Sequence, residues 1–158
     1  MIDKTTRPEK NQSDKESNDV ESFILNTMTK LSDETLAAKN NLLKIWGMTV
    51  LQHNALDVLY QKDINNTGLS SREIGQGLNT RVPDVTRLLD RLADKGWVIR
   101  ERDTENRRVV RTRLTEDGKN LVNSAANPMK ELQEKLLDHL SKQEKNDFAG
   151  LLKKACKN

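Results

Sequence analysis

Apolar positions recur at three- and four-residue steps over most of this chain, and they alternate over one short stretch only. Phe23, Ile24, Met28 and Leu31 set a helical period from Val20 onward. Ser32, Asp33 and Glu34 read as a second start or a jog, after which the pattern runs through Leu36, Leu42, Leu43 and Trp46 to Gly47. Thr49 can cap the next helix, whose apolar face holds Leu51, Ala55, Leu56, Leu59 and Tyr60. Asn65-Asn66-Thr67-Gly68 reads as a turn. Ser70 and Glu73 have capping-box spacing and open a short helix over 71–78, with Ile74 and Leu78 inward. A turn at Asn79-Thr80 leads to a helix over about 82–95, with Pro83 tolerated in its first turn. Val85, Leu88, Leu89 and Leu92 form its buried stripe, Asp84, Arg87, Asp90, Arg91 and Asp94 face out, and Gly96 supplies a left-handed cap.

Residues 97–102 and 109–114 read as two strands joined by a polar hairpin tip over 103–108. Thr115 caps a long last helical region, with Glu116 and Asp117 at its positive end. Asn127-Pro128 is expected to kink or briefly break it, and Leu132, Leu136, Leu137 and Leu140 continue its stripe. Ser141 and Glu144 form another capping box before a final helix carrying Phe148, Leu151, Leu152 and Ala155. The fold class is mainly α with a small β-hairpin (α+β). A short helix, a tight turn and an arginine-bearing helix make a helix-turn-helix, and the hairpin behind it makes a wing.

Four segments follow. Residues 1–18, with one apolar residue after the initiator, are expected to be a disordered tail. Residues 19–48 form an N-terminal helical region, 49–115 the winged helix-turn-helix, and 116–158 the C-terminal helices. Only the middle third has winged-helix character, so the amphipathic helices at both ends are expected to build a homodimer. Packing within one protomer is the alternative.

Charge sharpens this picture. Ten of the eleven arginines fall between Arg72 and Arg113, whereas of the lysines only Lys95 does. The net charge is +3, of which residues 70–115 carry +4 and the rest −1, so the basicity is local. A guanidinium grips phosphate oxygens and guanine edges bidentately, and a lysine does not. Glu73, Asp84, Asp90, Asp94, Glu101, Asp103 and Glu105 share the window, so internal salt bridges are the competing reading.

Other classes recede. Two Trp, one Tyr and two Phe are too few for a base-stacking platform. A lone cysteine, Cys156, excludes an intrachain disulfide and fits a reducing compartment. No apolar run reaches membrane-spanning length and no signal-peptide core opens the chain, so a cytoplasmic, non-membrane protein is expected. His53, His139 and Cys156 are too scattered for a metal set, no phosphate loop or nucleophile–base arrangement stands out, and neither a cofactor nor enzymatic activity is expected.

Val85-Thr86-Arg87-Leu88-Leu89-Asp90-Arg91-Leu92, Lys95-Gly96-Trp97-Val98, Arg102-Asp103 through Asn106-Arg107-Arg108, and Leu114-Thr115-Glu116-Asp117-Gly118 together resemble the MarR family of bacterial winged-helix regulators. The resemblance covers roughly 32–156 and is specific over 70–118. It implies a homodimer built from the terminal helices, with recognition helices in the major groove and wings in the minor groove of a pseudo-palindromic operator. It also implies repression relieved by a small, often aromatic, molecule bound between the dimerisation helices and the winged-helix lobe.

The expected contacts with double-stranded DNA are Ser70, Arg72, Thr80, Arg81, Asp84, Thr86, Arg87, Arg91, Asn106, Arg107 and Arg108. Arg91 can reach phosphate or pair with Asp90 or Asp94. Arg107 and Arg108 are adjacent and should diverge, one entering the minor groove and the other folding back onto Asp103 to stiffen the wing. Trp46, Met48, His53 and Tyr60 border the expected effector pocket, with a core role for Trp46 and a filler role for His53 as the alternative. Two other functions compete: an architectural or protein-docking winged helix without a ligand switch, and double-stranded RNA binding. The arginine sorting and the helix-plus-wing order favour DNA.

Overall fold

The computed structural model describes residues 12–78, 82–104 and 106–156, with side chains from Asp19 onward. The chain divides into two units, Met1–Ala37 and Ala38–Asn158. In the first, helix α1 (Gln12–Leu43, which continues into the second) begins inside the segment expected to be tail. No proline or glycine interrupts it. Residues 1–11 of the expected tail lie outside the described residues. The jog expected at Ser32 is absent, because α1 runs through it.

The second unit is built around Leu43, Leu56, Leu59, Ile74, Leu89 and Leu92, all fully buried. Each such leucine contributes about 2 kcal/mol of burial energy. A 3₁₀ turn (Lys44–Trp46) ends at Gly47, whose φ of 62° is a left-handed value that glycine adopts without strain. Helix α2 (Val50–Lys62) starts from a complete capping box between Thr49 and Gln52. Asp63 then accepts the Gly68 N–H at 3.0 Å and closes the turn.

The sheet has three antiparallel strands in the order β1 (Leu69–Ser70), β3 (Val110–Leu114), β2 (Val98–Arg102). Strand β1 was not expected: two residues between a turn and a helix cap are too few to show alternation. Its register is Leu69↔Thr112 and Ser70↔Arg111, and that of β2 on β3 is Val98↔Leu114 through Arg102↔Val110. One face therefore carries the paired Val98 and Leu114 into the core, with Thr112 next along β3 on the same face. Helices α3 (Ser71–Gly77) and α4 (Val85–Asp94) precede the hairpin. Helix α4 starts three residues later than expected, because Asp84 and not an earlier residue caps it, leaving Pro83 outside.

Helices α5 (Glu116–Leu136) and α6 (Lys142–Ala155) complete the unit. The break expected at Pro128 does not occur. Val122, Ala125 and Met129 are buried on either side of it, and their packing outweighs one missing backbone donor. The start of α5 is sterically fixed: a β-carbon at Gly118 would lie 2.1 Å from the Trp97 carbonyl oxygen.

Two stability changes follow. Gly118→Ala should cost about 2 kcal/mol or more in urea unfolding, since backbone has to move. The Thr112 hydroxyl is buried and finds no hydrogen-bond partner among the described residues, so Thr112→Val should stabilise by about 1 kcal/mol. A destabilised Thr112→Val variant would show that the hydroxyl is satisfied.

Candidate nucleic-acid interface

Helix α3 begins at Ser70, which the expected contact set includes. Its hydroxyl and backbone N–H donate to Glu73 at 2.6 and 2.7 Å, and the hydroxyl oxygen accepts the Glu73 N–H at 3.2 Å. Ser70 is thus engaged as a cap, and Arg72 beside it is exposed. Asp84 is likewise a cap, accepting the Arg87 N–H at 2.9 Å. Helix α4 buries Leu88, Leu89 and Leu92 and leaves Thr86, Arg87, Asp90, Arg91 and Asp94 exposed, as its period predicts. Thr80 and Arg81 lie outside the described residues.

The wing is folded around Asp103. Its backbone N–H donates to the Val109 carbonyl at 2.9 Å, and its Oδ1 accepts the Asn106 N–H at 3.0 Å. The Asn106 side-chain oxygen accepts the Arg108 N–H at 3.2 Å, so Asn106, expected as a DNA contact, is a turn-former here. The arginine that grips Asp103 is Arg111 on β3, through Nε, and neither Arg107 nor Arg108 folds back onto it as expected. Both of those side chains are exposed and make no ion pair among the described residues. In an antiparallel hairpin, residues near the tip on opposite strands face each other, whereas adjacent tip residues point outward.

The arginine cluster therefore splits in two. Arg100 on β2 pairs with Asp90 of α4, Arg111 with Asp103 and, at 3.9 Å, Glu73, and Arg113 with Glu101 at 2.9 Å. These three fasten the fold. Arg72, Arg87, Arg91, Arg102, Arg107 and Arg108 are exposed with no ion pair among the described residues. Arg91, for which pairing with Asp90 stood open, has that partner taken by Arg100. Arg102, at the end of β2, joins the free set although the expected contacts omit it. Its place in the arginine-rich window was the available signal.

Among the described hollows, no single one is lined by all four expected pocket residues. Met48 is core at 4% exposure, and Trp46 is half-buried against that core. His53 lines a hollow of about 240 Å³ between α2 and α5, with Asp57, Val122, Ala126, Met129, Lys130 and Gln133, and its Nδ1 is buried without a hydrogen-bond partner among the described residues. Tyr60 lines a separate hollow with Ile64 and Lys119. They lie along 15 residues of a 3₁₀ turn and a helix, whose successive faces point different ways. Among the described residues no group of three His, Cys, Asp or Glu is placed to hold a metal.

The Ser70 hydrogen bonds, hydroxyl first, hold the Glu73 carboxyl below the ordinary range, with Arg111 adding a weaker pull. A depressed folded value means that the stability this group contributes is complete above its unfolded value and lost as pH falls through the folded one. Ser70→Ala, which keeps the backbone N–H but loses the hydroxyl, should move the Glu73 carboxyl up toward the ordinary range in an NMR titration and flatten part of the acid limb of stability. An unmoved titration would assign the shift to something other than the cap.

Comparison with known proteins agrees with this geometry. The MarR family pattern matches residues 48–110. The transcriptional repressor MprA of Escherichia coli is 25% identical over 124 residues, 78% of this chain and 69% of that one. The MepR–DNA complex of S. aureus superposes with a TM-score of 0.73 at 26% identity, covering 86% of this chain and 96% of that one. A MarR-like transcription regulator from Bacillus cereus, at 14% identity, shares the fold with a TM-score of 0.78 over 87% and 96% of the two chains. No helix among the described residues is long and apolar enough to cross a membrane. The helix-turn-helix with its capped helices and the wing behind it make up the MarR-family match over residues 48–110, and the solved structures that share this fold are MarR-family transcription regulators.

Proposed function

We propose that this chain is a cytoplasmic, non-enzymatic repressor. It acts as a homodimer on a pseudo-palindromic operator and is released by a small aromatic effector. The carrying observation is the partition of the arginines: among the described residues, every guanidinium without an ion pair lies on α3, α4 or the wing, while Arg100, Arg111 and Arg113 within the sheet are internally paired. Arg87 and Thr86 on the first turns of α4 would meet base edges, Arg91 and Arg72 phosphates, and Arg107 or Arg108 the narrow minor groove.

Dimerisation is supported by α1. Phe23 is 69% exposed and Leu25 64%, and Val20, Ile24 and Leu36 are also exposed, at helical spacing. A contiguous apolar face of this kind needs a partner, and a second copy of an amphipathic helix supplies one. Release by a ligand is supported by the hollow at His53, where a buried imidazole nitrogen lacks a partner among the described residues and the walls mix apolar Val122, Ala126 and Met129 with polar Asp57, Lys130 and Gln133. A ligand that favours mis-spaced recognition helices would lower operator affinity by population shift.

The test is selection of genomic fragments by the purified protein, followed by salt titration on the best-retained duplex. An inverted repeat with half-sites about one helical turn apart and a steep salt slope is expected. Arg107→Ala with Arg108→Ala should weaken binding to all duplexes and reduce the slope by about two. Retention of no preferred sequence, or a monomer in sedimentation equilibrium, would overturn the proposal.

A further inference from the structure

Arg111 lies in the middle of a continuous chain of polar contacts. Its Nη1 donates to the Gly68 carbonyl at 3.1 Å, ahead of β1, and stands 3.9 Å from the Glu73 carboxylate on α3. Its Nε holds one carboxylate oxygen of Asp103. The other oxygen of Asp103 holds the Asn106 N–H, and the Asn106 side chain holds the Arg108 N–H. The turn at Gly68 and the start of helix α3 are thus joined to the wing tip, which is remote from them in sequence, through one guanidinium. The Asp103 side chain is only 13% exposed, so its bond to Arg111 is shielded from competing water and salt. The approach is also tight. A β-carbon at Gly68, where φ is +81°, would lie 3.0 Å from the Arg111 β-carbon, so glycine lets β3 and the turn close on each other.

We infer that Arg111 is a positioning residue that sets where Arg107 and Arg108 stand relative to helix α3. The inference rests on the DNA-binding reading, and it separates two kinds of arginine in one strand-turn segment. Arg107 and Arg108 offer charge to the ligand, and Arg111 offers geometry. A planar fork can serve the carbonyl, Glu73 and Asp103 at once, and a lysine ammonium cannot reach all three in plane. The charge on Arg111 is offset by Asp103 and Glu73, so its removal should leave the phosphate count unchanged.

The test uses the full chain, with Arg111→Lys and Arg111→Met, on the duplex retained in the genomic selection. Both variants should bind about tenfold more weakly with an unchanged salt slope. In an Arg107→Ala, Arg108→Ala background, Arg111→Lys should cause no further loss, because the groups it positions are gone. A slope reduced by about one would make Arg111 a direct phosphate contact, and wild-type affinity in Arg111→Lys would make its charge alone sufficient. Either result overturns the inference, as does an additive loss in the triple variant.

A readout without DNA keeps the two readings apart. Amide hydrogen exchange at Asn106, Arg108 and Val109 should accelerate in Arg111→Lys while the α2 and α4 amides keep wild-type protection. Unchanged exchange at the wing overturns the positioning role even if operator binding is found. Accelerated exchange with no sequence retained would instead count against the DNA reading alone. Should Arg111→Met fail to fold, Arg111→Lys carries both measurements.

Discussion

The Trp97 carbonyl is the point on which the reading head depends. It accepts the Thr115 N–H at 3.1 Å, closing the hairpin at its root. Gly118, one turn into α5, has no side chain to collide with it. The Thr115 hydroxyl donates to the Gly96 carbonyl at 2.7 Å and accepts the Gly118 N–H at 3.0 Å, so one residue ends the wing and starts the next helix. Recognition helix, wing and α5 are thereby fixed to one another within five residues on either side of a single turn. The glycine and threonine of the Leu114–Gly118 motif are both explained by this contact.

A second constraint is charge sorting within the arginine cluster. Arg100 is nearly covered, at 15% side-chain exposure, and reaches from the core face of β2 to Asp90 on the outer face of α4. Its position opposite Thr112 puts it beneath the sheet, where an unpaired guanidinium would be costly. The competing salt-bridge reading of the cluster is therefore right for three residues and wrong for the rest. Place in the sheet decides which: Arg111 and Arg113 on the central strand β3 and Arg100 in the middle of β2 find carboxylates, and those at helix surfaces, at the end of β2 and at the tip do not.

Much of this was legible from residue order. The capping boxes at Ser70–Glu73 and Ser141–Glu144, the stripe of α4 and the left-handed Gly96 are local features, and each is present. What failed depends on contacts distant in sequence. Strand β1 exists only because β3 lies beside it. The partner of Asp103 is set by hairpin register, which no spacing rule gives when the tip length is irregular. Pro128 is carried through by tertiary packing. The grouping of the expected pocket residues rests on a resemblance, and among the described hollows no single one is lined by all four.

The two-residue length of β1 has a consequence for crowding. A sheet edge is a template on which another chain can add, and its danger grows with the number of free ladder positions. On one side this sheet ends in Leu69–Ser70, which offers a visitor almost nothing to zip onto. On the other it ends in β2, where Arg100, Glu101 and Arg102 follow in succession, so an incoming like strand meets alternating charge. Many copies gathered at neighbouring sites on one nucleic acid can thus sit wing beside wing without seeding an intermolecular sheet.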